Sequence, residues 1–301
     1  MTDTSVVEAL VLVSYGGQGV VMLPGGRRQR CKFRRQVGRP YCGDRVMVAR
    51  ADDESLVVES ILPRKNYFVR ADQRQRHQPV AANLDQVIIV IATRPLPSRD
   101  LLERNLLAVH SLGIKPVIVL NKTDLEIEPD GHPQRAMVLK HLPDYEILGF
   151  TVVRTSCKSD PGVAQLRPIL EGKTSILVGQ SGVGKSSLIN KLLPDLDIQT
   201  GALSEATGKG THTTTSTMLY EFRGGGYLID SPGVWEYGIW KLENDELADG
   251  FVEFSDYVGQ CRFNDCVHAT EPGCAIKTAV AGGHILKWRY ESYLRLLEQN
   301  S

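Results

Sequence analysis

The sequence predicts a multidomain α/β protein in three parts: a small β-barrel, a mostly parallel sheet flanked by helices, and a helical C-terminal part. Three observations predict it. Residues 1–80 carry short apolar runs split by Gly/Pro turns, residues from 85 onward alternate strand-like apolar runs with helical segments, and three cysteines and one histidine crowd into 261–274. The expected limits are 1–75, 80–240 and 241–301. A chain of 301 residues is long enough for two or three domains of about 100–150 residues each.

The first part contains the runs Ala9–Val13, Val20–Leu23, Arg45–Ala49 and Ser55–Glu59. Gly16-Gly17 separates the first two, and Pro24-Gly25-Gly26 follows the second. Repeated short β-rich segments with such turns suit a small closed barrel of the OB type. Net charge is zero but uneven: residues 1–80 hold 14 Lys/Arg against 8 Asp/Glu, and the remainder holds 21 against 27. Seven basic residues and no acidic one lie within 27–39: Arg27, Arg28, Arg30, Lys32, Arg34, Arg35 and Arg39. A stripe of this kind suits a nucleic-acid surface, the plainer alternative being a solvated strand face. Arg70 to Pro79 is polar and ends in proline, and is expected to be a linker.

In the second part Gln86–Ala92 is an unbroken apolar run rich in β-branched residues, the pattern of a strand buried on both faces. Ser98 is expected to cap a helix running to about Ser111, with Leu101, Leu102, Leu106 and Val109 on one face. Lys115–Leu120, Thr151–Val153, Ser175–Val178 and Tyr227–Asp230 are further strands. Each of these four leads into a polar motif, and ligands in parallel α/β sheets sit at the carboxyl ends of the strands.

Gly179-Gln180-Ser181-Gly182-Val183-Gly184-Lys185-Ser186 matches GxxxxGK[ST] and continues through Ser187. The glycines let successive backbone N–H groups turn inward around phosphates, Lys185 adds a point charge, and the Ser186 hydroxyl is offered to Mg²⁺. A helix over 185–193 aims its N-terminal dipole at the same anion. Asn121-Lys122-Thr123-Asp124 reads as NKxD, in which Asp124 accepts from guanine N1–H and the exocyclic amine. Adenine lacks that donor pair, so Asp124 argues against the competing class of a P-loop ATPase or kinase. Thr155-Ser156-Cys157-Lys158 resembles the loop that contacts guanine O6 through backbone N–H, here from Ser156 and Cys157. Asp230-Ser231-Pro232-Gly233 fits DxxG: Asp230 holds Mg²⁺ through water, and the Gly233 N–H senses the γ-phosphate. Between them, one of Thr213, Thr214 and Thr215 closes the Mg²⁺ shell, with Thr214 as candidate. Many GTPases orient water with a Gln directly after DxxG; Val234 stands there and cannot, so His212 is the catalytic candidate. Val234 also keeps open an RNA-binding scaffold whose nucleotide site only regulates affinity. The base-reading motif precedes the phosphate loop, the reverse of ordinary GTPases, so the nucleotide domain is expected to be circularly permuted.

In the third part Cys261, Cys266, His268 and Cys274 offer three thiolates and an imidazole, a set that closes one tetrahedral structural Zn²⁺ site. Gly283 to Gln299 reads as an amphipathic helix whose Lys287, Arg289 and Arg295 face either RNA or water. No run of about 18 apolar residues suggests a membrane span. The first residues lack a signal-peptide pattern. Six cysteines do not suggest a disulfide scaffold, so the cytoplasm is the expected compartment; a monomer is expected.

Together, the basic barrel, NKTD before GQSGVGKSS, a GTHTTT segment, DSPG and the Cys-Cys-His-Cys cluster resemble the RsgA (YjeQ) family of circularly permuted GTPases across nearly the whole chain. The resemblance implies a GTP hydrolase that binds the maturing small ribosomal subunit and its rRNA, is stimulated by it, acts late in its assembly, and cycles between GTP and GDP. It also maps the family's catalytic histidine onto His212 and its zinc ligands onto Cys261, Cys266, His268 and Cys274.

Overall fold

The structure is a computed structural model and describes residues 6–51, 53, 55–71, 77–98, 100–126, 133–159, 162–193, 195, 217–231 and 244–300. The first five strands are β1 (Val7–Tyr15), β2 (Gln18–Met22), β3 (Arg28–Phe33), β4 (Arg45–Arg50) and β5 (Leu56–Ile61). β1 pairs with β2, β2 with β3, β3 with β5, β5 with β4, and β4 again with β1. That ring is a closed five-stranded OB-type barrel, which leaves no open edge within it. Its core holds Ala9, Val11, Val21, Cys31, Val46, Val48 and Val58. β3 lies outside the expected apolar runs. It alternates Cys31 in the core with exposed Arg30 and Lys32, so the first half of the basic stripe is the outer face of a strand.

Next come β6 (Tyr67–Ala71) and β7 (His77–Ala82), which pair antiparallel. Of the expected linker, residues 72–76 lie outside the described residues, and 70–71 and 77–79 are therefore strand residues of a two-stranded ribbon. Its anchors are Phe68, Ala81 and Ala82, all fully buried. Pro79 is tolerated because a two-stranded ribbon has free edges.

The second part is a sheet of β8 (Gln86–Ala92), β9 (Lys115–Asn121), β10 (Thr151–Arg154), β11 (Lys173–Val178), β12 (Met218–Glu221) and β13 (Gly226–Asp230). The order is β10-β9-β8-β11-β13-β12, parallel except for β12 against β13. The chain builds one half outward from β8, then returns to the centre at β11 and builds the other. The half ending in Asn121–Asp124 is thus laid down before the half that carries Gly179–Ser187, which is the reversed motif order seen as topology. Among the described residues the ladder pair Val13 with Met218 joins this sheet to the barrel, and Leu12, Val13 and Val20 share its core.

Among the described residues the helices are α1 (Leu101–Ser111), α2 (Pro133–Lys140), α3 (Leu142–Ile147), α4 (Arg167–Leu170), α5 (Lys185–Leu192), α6 (Asn244–Asp249), α7 (Ala275–Ala281) and α8 (Lys287–Asn300). No helix among the described residues is long and apolar enough to cross a membrane. Asp100, not Ser98, occupies the N-cap position of α1; Ser98 supplies only its carbonyl, to the Leu101 N–H at 3.1 Å. The Asp100 carboxylate is engaged instead by Arg295, at 2.9 and 3.1 Å.

The C-terminal core contains Leu247, Phe251, Phe254, Ile276, Ile285, Tyr293 and Leu296, together with Leu107 from α1. α8 packs across this seam. Arg289 is 1% exposed and pairs with Glu103 of α1 and with Glu253. The sequence expectation that Arg289 and Arg295 face RNA or water is therefore corrected: both face carboxylates across the seam, and only Lys287 of the three is largely exposed.

Candidate functional site

β11 ends at Val178 and the chain turns at Gly179, whose φ is +142°. A Cβ there would collide with the Val90 carbonyl of β8, so the strand-to-loop turn requires glycine. Gly184 ends the loop at φ +96°, where a Cβ would strike the amide of Asn121. α5 starts at Lys185, with the Leu188 N–H on the Gly184 carbonyl at 2.9 Å. Ser186 and Ser187 are exposed in its first turn, and Ser181 is exposed in the loop. The Lys185 ammonium folds over its own loop, donating to the carbonyls of Gly179 (2.7 Å) and Gln180 (2.9 Å). Burial lowers its pKa, opposed by the charge of Asp230. Asp230, at the end of β13, has its pKa raised by burial, and Lys185 only partly offsets this. A half-buried carboxylate in that condition is short of positive charge.

Asn121 ends β9 and is 1% exposed. Its Nδ2 donates to the Val183 carbonyl at 2.8 Å, and its Oδ1 accepts from the Thr155 hydroxyl at 3.1 Å. Lys122 has a positive φ of 60°, and its Nζ donates to the carbonyls of Gly182 (2.6 Å) and Arg94 (2.7 Å). The Thr123 hydroxyl donates to the Thr155 carbonyl at 3.1 Å. Asp124 is exposed, and the Ser156 hydroxyl donates to it at 2.6 Å, holding its carboxyl below the usual range. The Ser156 oxygen in turn accepts from the N–H groups of Lys158 (3.0 Å) and Ser159 (3.2 Å). Burial pushes the neighbouring Cys157 thiol up. The ends of β9, β10 and β11 are thus sewn together, with the Asp124 carboxylate exposed beside them.

The sequence reading missed Arg94-Pro95-Leu96. Besides taking the Lys122 bond, this segment accepts from Gln180 Nε2 at the carbonyls of Pro95 (3.3 Å) and Leu96 (3.1 Å). The available signal was position, because it follows β8 at its carboxyl end as the other motifs follow their strands. His212, Thr213, Thr214, Thr215, Gly233 and Val234 lie outside the described residues.

A second site lies between α6 and α8. The ligand atoms of Cys261, Cys266, His268 and Cys274 lie within 4.8 Å of one another and could hold a metal ion. Cys261 Sγ stands 3.5 Å from His268 Nδ1 and 3.9 Å from Cys274 Sγ, and Cys274 Sγ is 3.6 Å from His268 Nδ1. His268 adopts φ +59°. The loop that holds it there is braced by Glu271, which accepts from the N–H groups of Val267 (3.0 Å) and Ala269 (2.9 Å). α8 adds Tyr290 and Tyr293, whose hydroxyls donate to the carbonyls of His268 (2.7 Å) and Val267 (2.8 Å). Burial pushes the Cys266 thiol up to about 12 and lowers the pKa of His268; the second shift favours the neutral imidazole a metal ligand requires, whereas each thiol must give up its proton to bind.

Residues 61–240 match the family model described as RsgA GTPase. The chain is 43% identical over 298 residues to the small ribosomal subunit biogenesis GTPase RsgA of Dickeya dadantii, spanning 97% of this chain and 84% of that one. It is likewise 43% identical over 288 residues to the protein of that name from Pseudomonas aeruginosa, spanning 95% and 84%. Among solved structures it is similar to YjeQ from Thermotoga maritima (TM-score 0.77, 32% identity, 98% of this chain and 99% of that one). It is also similar to YloQ, described as a circularly permuted GTPase (TM-score 0.76, 27% identity, 98% and 95%).

Proposed function

The chain belongs to the RsgA GTPase family and is a GTP-hydrolysing enzyme, and from that premise we propose that it binds the maturing small ribosomal subunit through its rRNA, is stimulated by that particle to hydrolyse GTP, and leaves it late in assembly. The observation that carries the nucleotide reading is the pair of bonds from Asn121 and Lys122 to the Val183 and Gly182 carbonyls. They join the base-reading and phosphate segments into one pocket although the chain supplies them in reversed order. The protein works in the cytoplasm as a monomer.

In this reading Asp124 accepts from guanine N1–H and the exocyclic amine, with one oxygen already held by Ser156. Asn121, Lys122 and Thr123 shape the base pocket, and the N–H groups of Ser156 and Cys157 face guanine O6. Residues 179–187 cradle the phosphates, and Lys185 exchanges two neutral carbonyl acceptors for an anion. Mg²⁺, when bound, neutralises the β- and γ-phosphate oxygens. Ser186, Asp230 through water, and Thr214 would hold it, and the raised pKa of Asp230 fits a carboxylate awaiting a cation. Gly233 senses the γ-phosphate, and His212 orients the attacking water in place of the usual glutamine.

The C-terminal cluster suits one structural Zn²⁺. Bonds of about 2.3 Å to sulfur and 2.0–2.1 Å to nitrogen give a tetrahedron with S···S edges of about 3.8 Å and S···N edges of about 3.6 Å. The distances of 3.9, 3.5 and 3.6 Å match. Four protein ligands leave no open position for substrate.

Turnover measured against small subunits, large subunits and free RNA tests the proposal. Small subunits should accelerate hydrolysis far more than the other two, and no acceleration would overturn the particle-directed reading. In the same assay His212→Ala should bind GTP normally yet lose the stimulated rate; full stimulation would remove His212 from catalysis.

A further inference from the structure

The open end of the barrel holds a cavity of about 340 Å³, within the size range of small-molecule pockets, about 300–1,000 Å³. Its apolar lining comes from Val7 of β1, Leu23 beyond β2, Val48 of β4 and Leu56 of β5. Three polar side chains share the wall, Gln29, Arg27 and Arg50. Gln29 of β3 lines the cavity, and its side-chain oxygen is buried with no hydrogen-bond partner among the described residues. A buried acceptor without a donor costs about 1–3 kcal/mol, so a ligand that donates to it recovers that loss. Arg27 and Arg50 also line the cavity and are exposed, and Arg30 and Lys32 lie exposed on the outer face of the same strand as Gln29. An apolar slot with one acceptor and a cationic border fits a flat heterocycle carrying an exocyclic amine and attached to a phosphate chain.

We propose that the barrel mouth is a nucleobase pocket for single-stranded RNA, with adenine as the preferred base. Only unpaired RNA can place a base there, since a stacked and paired base cannot leave its helix without cost. The Gln29 amide accepts from the adenine N6 amine and donates to an adjacent ring nitrogen, the bidentate match between Gln and adenine. The arginines take the flanking phosphates. The proposal rests on the reading of the barrel as an RNA-binding part and adds which base it selects.

Anisotropy of labelled oligoadenylate and oligouridylate, each about 12 nucleotides long to suit one such barrel, tests it on the full-length protein. The wild type should bind oligoadenylate about tenfold tighter, the scale of one good bidentate contact. Gln29→Leu should erase that preference, change oligouridylate binding by less than about twofold, and leave the unfolding midpoint unchanged or raised, because it removes an orphan acceptor. A preference that survives Gln29→Leu would overturn the proposal. Equal wild-type affinities that fall together in an Arg30→Glu/Lys32→Glu variant would overturn the pocket and leave the RNA-binding barrel standing. Binding of neither oligonucleotide would overturn both.

Discussion

On β3, Arg30 and Lys32 lie exposed on the outside of the barrel, and Lys32 meets Asp53 with both side chains about 60% exposed. On α8, Arg289 is sealed between two carboxylates contributed by different parts of the chain. It donates to Glu253 at 2.6 and 3.0 Å and to Glu103, which also accepts from Tyr145, and its guanidinium lies 4.5 Å from the Phe251 ring centroid. Burial works against its charge, yet the two carboxylates outweigh burial and hold its pKa above the ordinary value. The same residue type therefore plays opposite parts. The β3 cations Arg30 and Lys32 stay exposed to solvent. Arg289 has given up its hydration, so it holds the C-terminal helix against α1 and has nothing left to offer RNA.

The largest way to break this contrast is to dissolve the metal cluster. Tyr290 and Tyr293 tie α8 to the 267–268 loop, so Cys261→Ser should release the metal and loosen α8 as well, because thiolate binding is coupled to folding. Limited proteolysis and metal stoichiometry would read it; a metal-free variant with an intact, protease-resistant C-terminus would separate the seam from the cluster. Next, Arg289→Met leaves Glu103 and Glu253 buried without a cation, and urea unfolding should show a loss of about 3–5 kcal/mol. Most of it should return when both glutamates become glutamine in the same background. A loss below about 1 kcal/mol would mean that the seam is wetter than its 1% exposure implies. Arg295→Ala breaks a half-buried pair with Asp100 and should cost about 1 kcal/mol. The smallest effect belongs to the barrel: Lys32→Ala should change stability by less than about 0.5 kcal/mol. It should also lower the slope of log affinity for RNA against log salt by about 1. A larger stability loss at Lys32 would erase the distinction between the two surfaces.

The nucleotide motifs were legible because their chemistry is local. Gly179 and Gly184 must be glycine for backbone reasons alone, and the motif that contains them is one short stretch of fixed spacing. The 70–79 segment was misread because the buried anchors of the ribbon, Phe68, Val69, Ala81 and Ala82, lie just outside it on either side. β3 was legible only as the strand-face alternative for the basic stripe, because its outward face is basic and its inward face short. For α8 a hint existed: Arg289, Tyr293 and Leu296 recur at helical spacing and are all buried. Periodicity could place Arg289 on the packed face. It could not supply Glu103, which lies 186 residues away.

Sequence by itself determined the ligand chemistry and the reversed order of the site, since each motif is a short stretch whose spacing is dictated by backbone geometry and by the groups it must present. Tertiary structure alone decided that Asn121 and Lys122 close onto the phosphate loop 62 and 60 residues away. It also decided which cations stay in water and which are buried. A hydrogen-bond partner far along the chain and the loss of hydration both depend on what packs against a side chain, and only the folded chain specifies that.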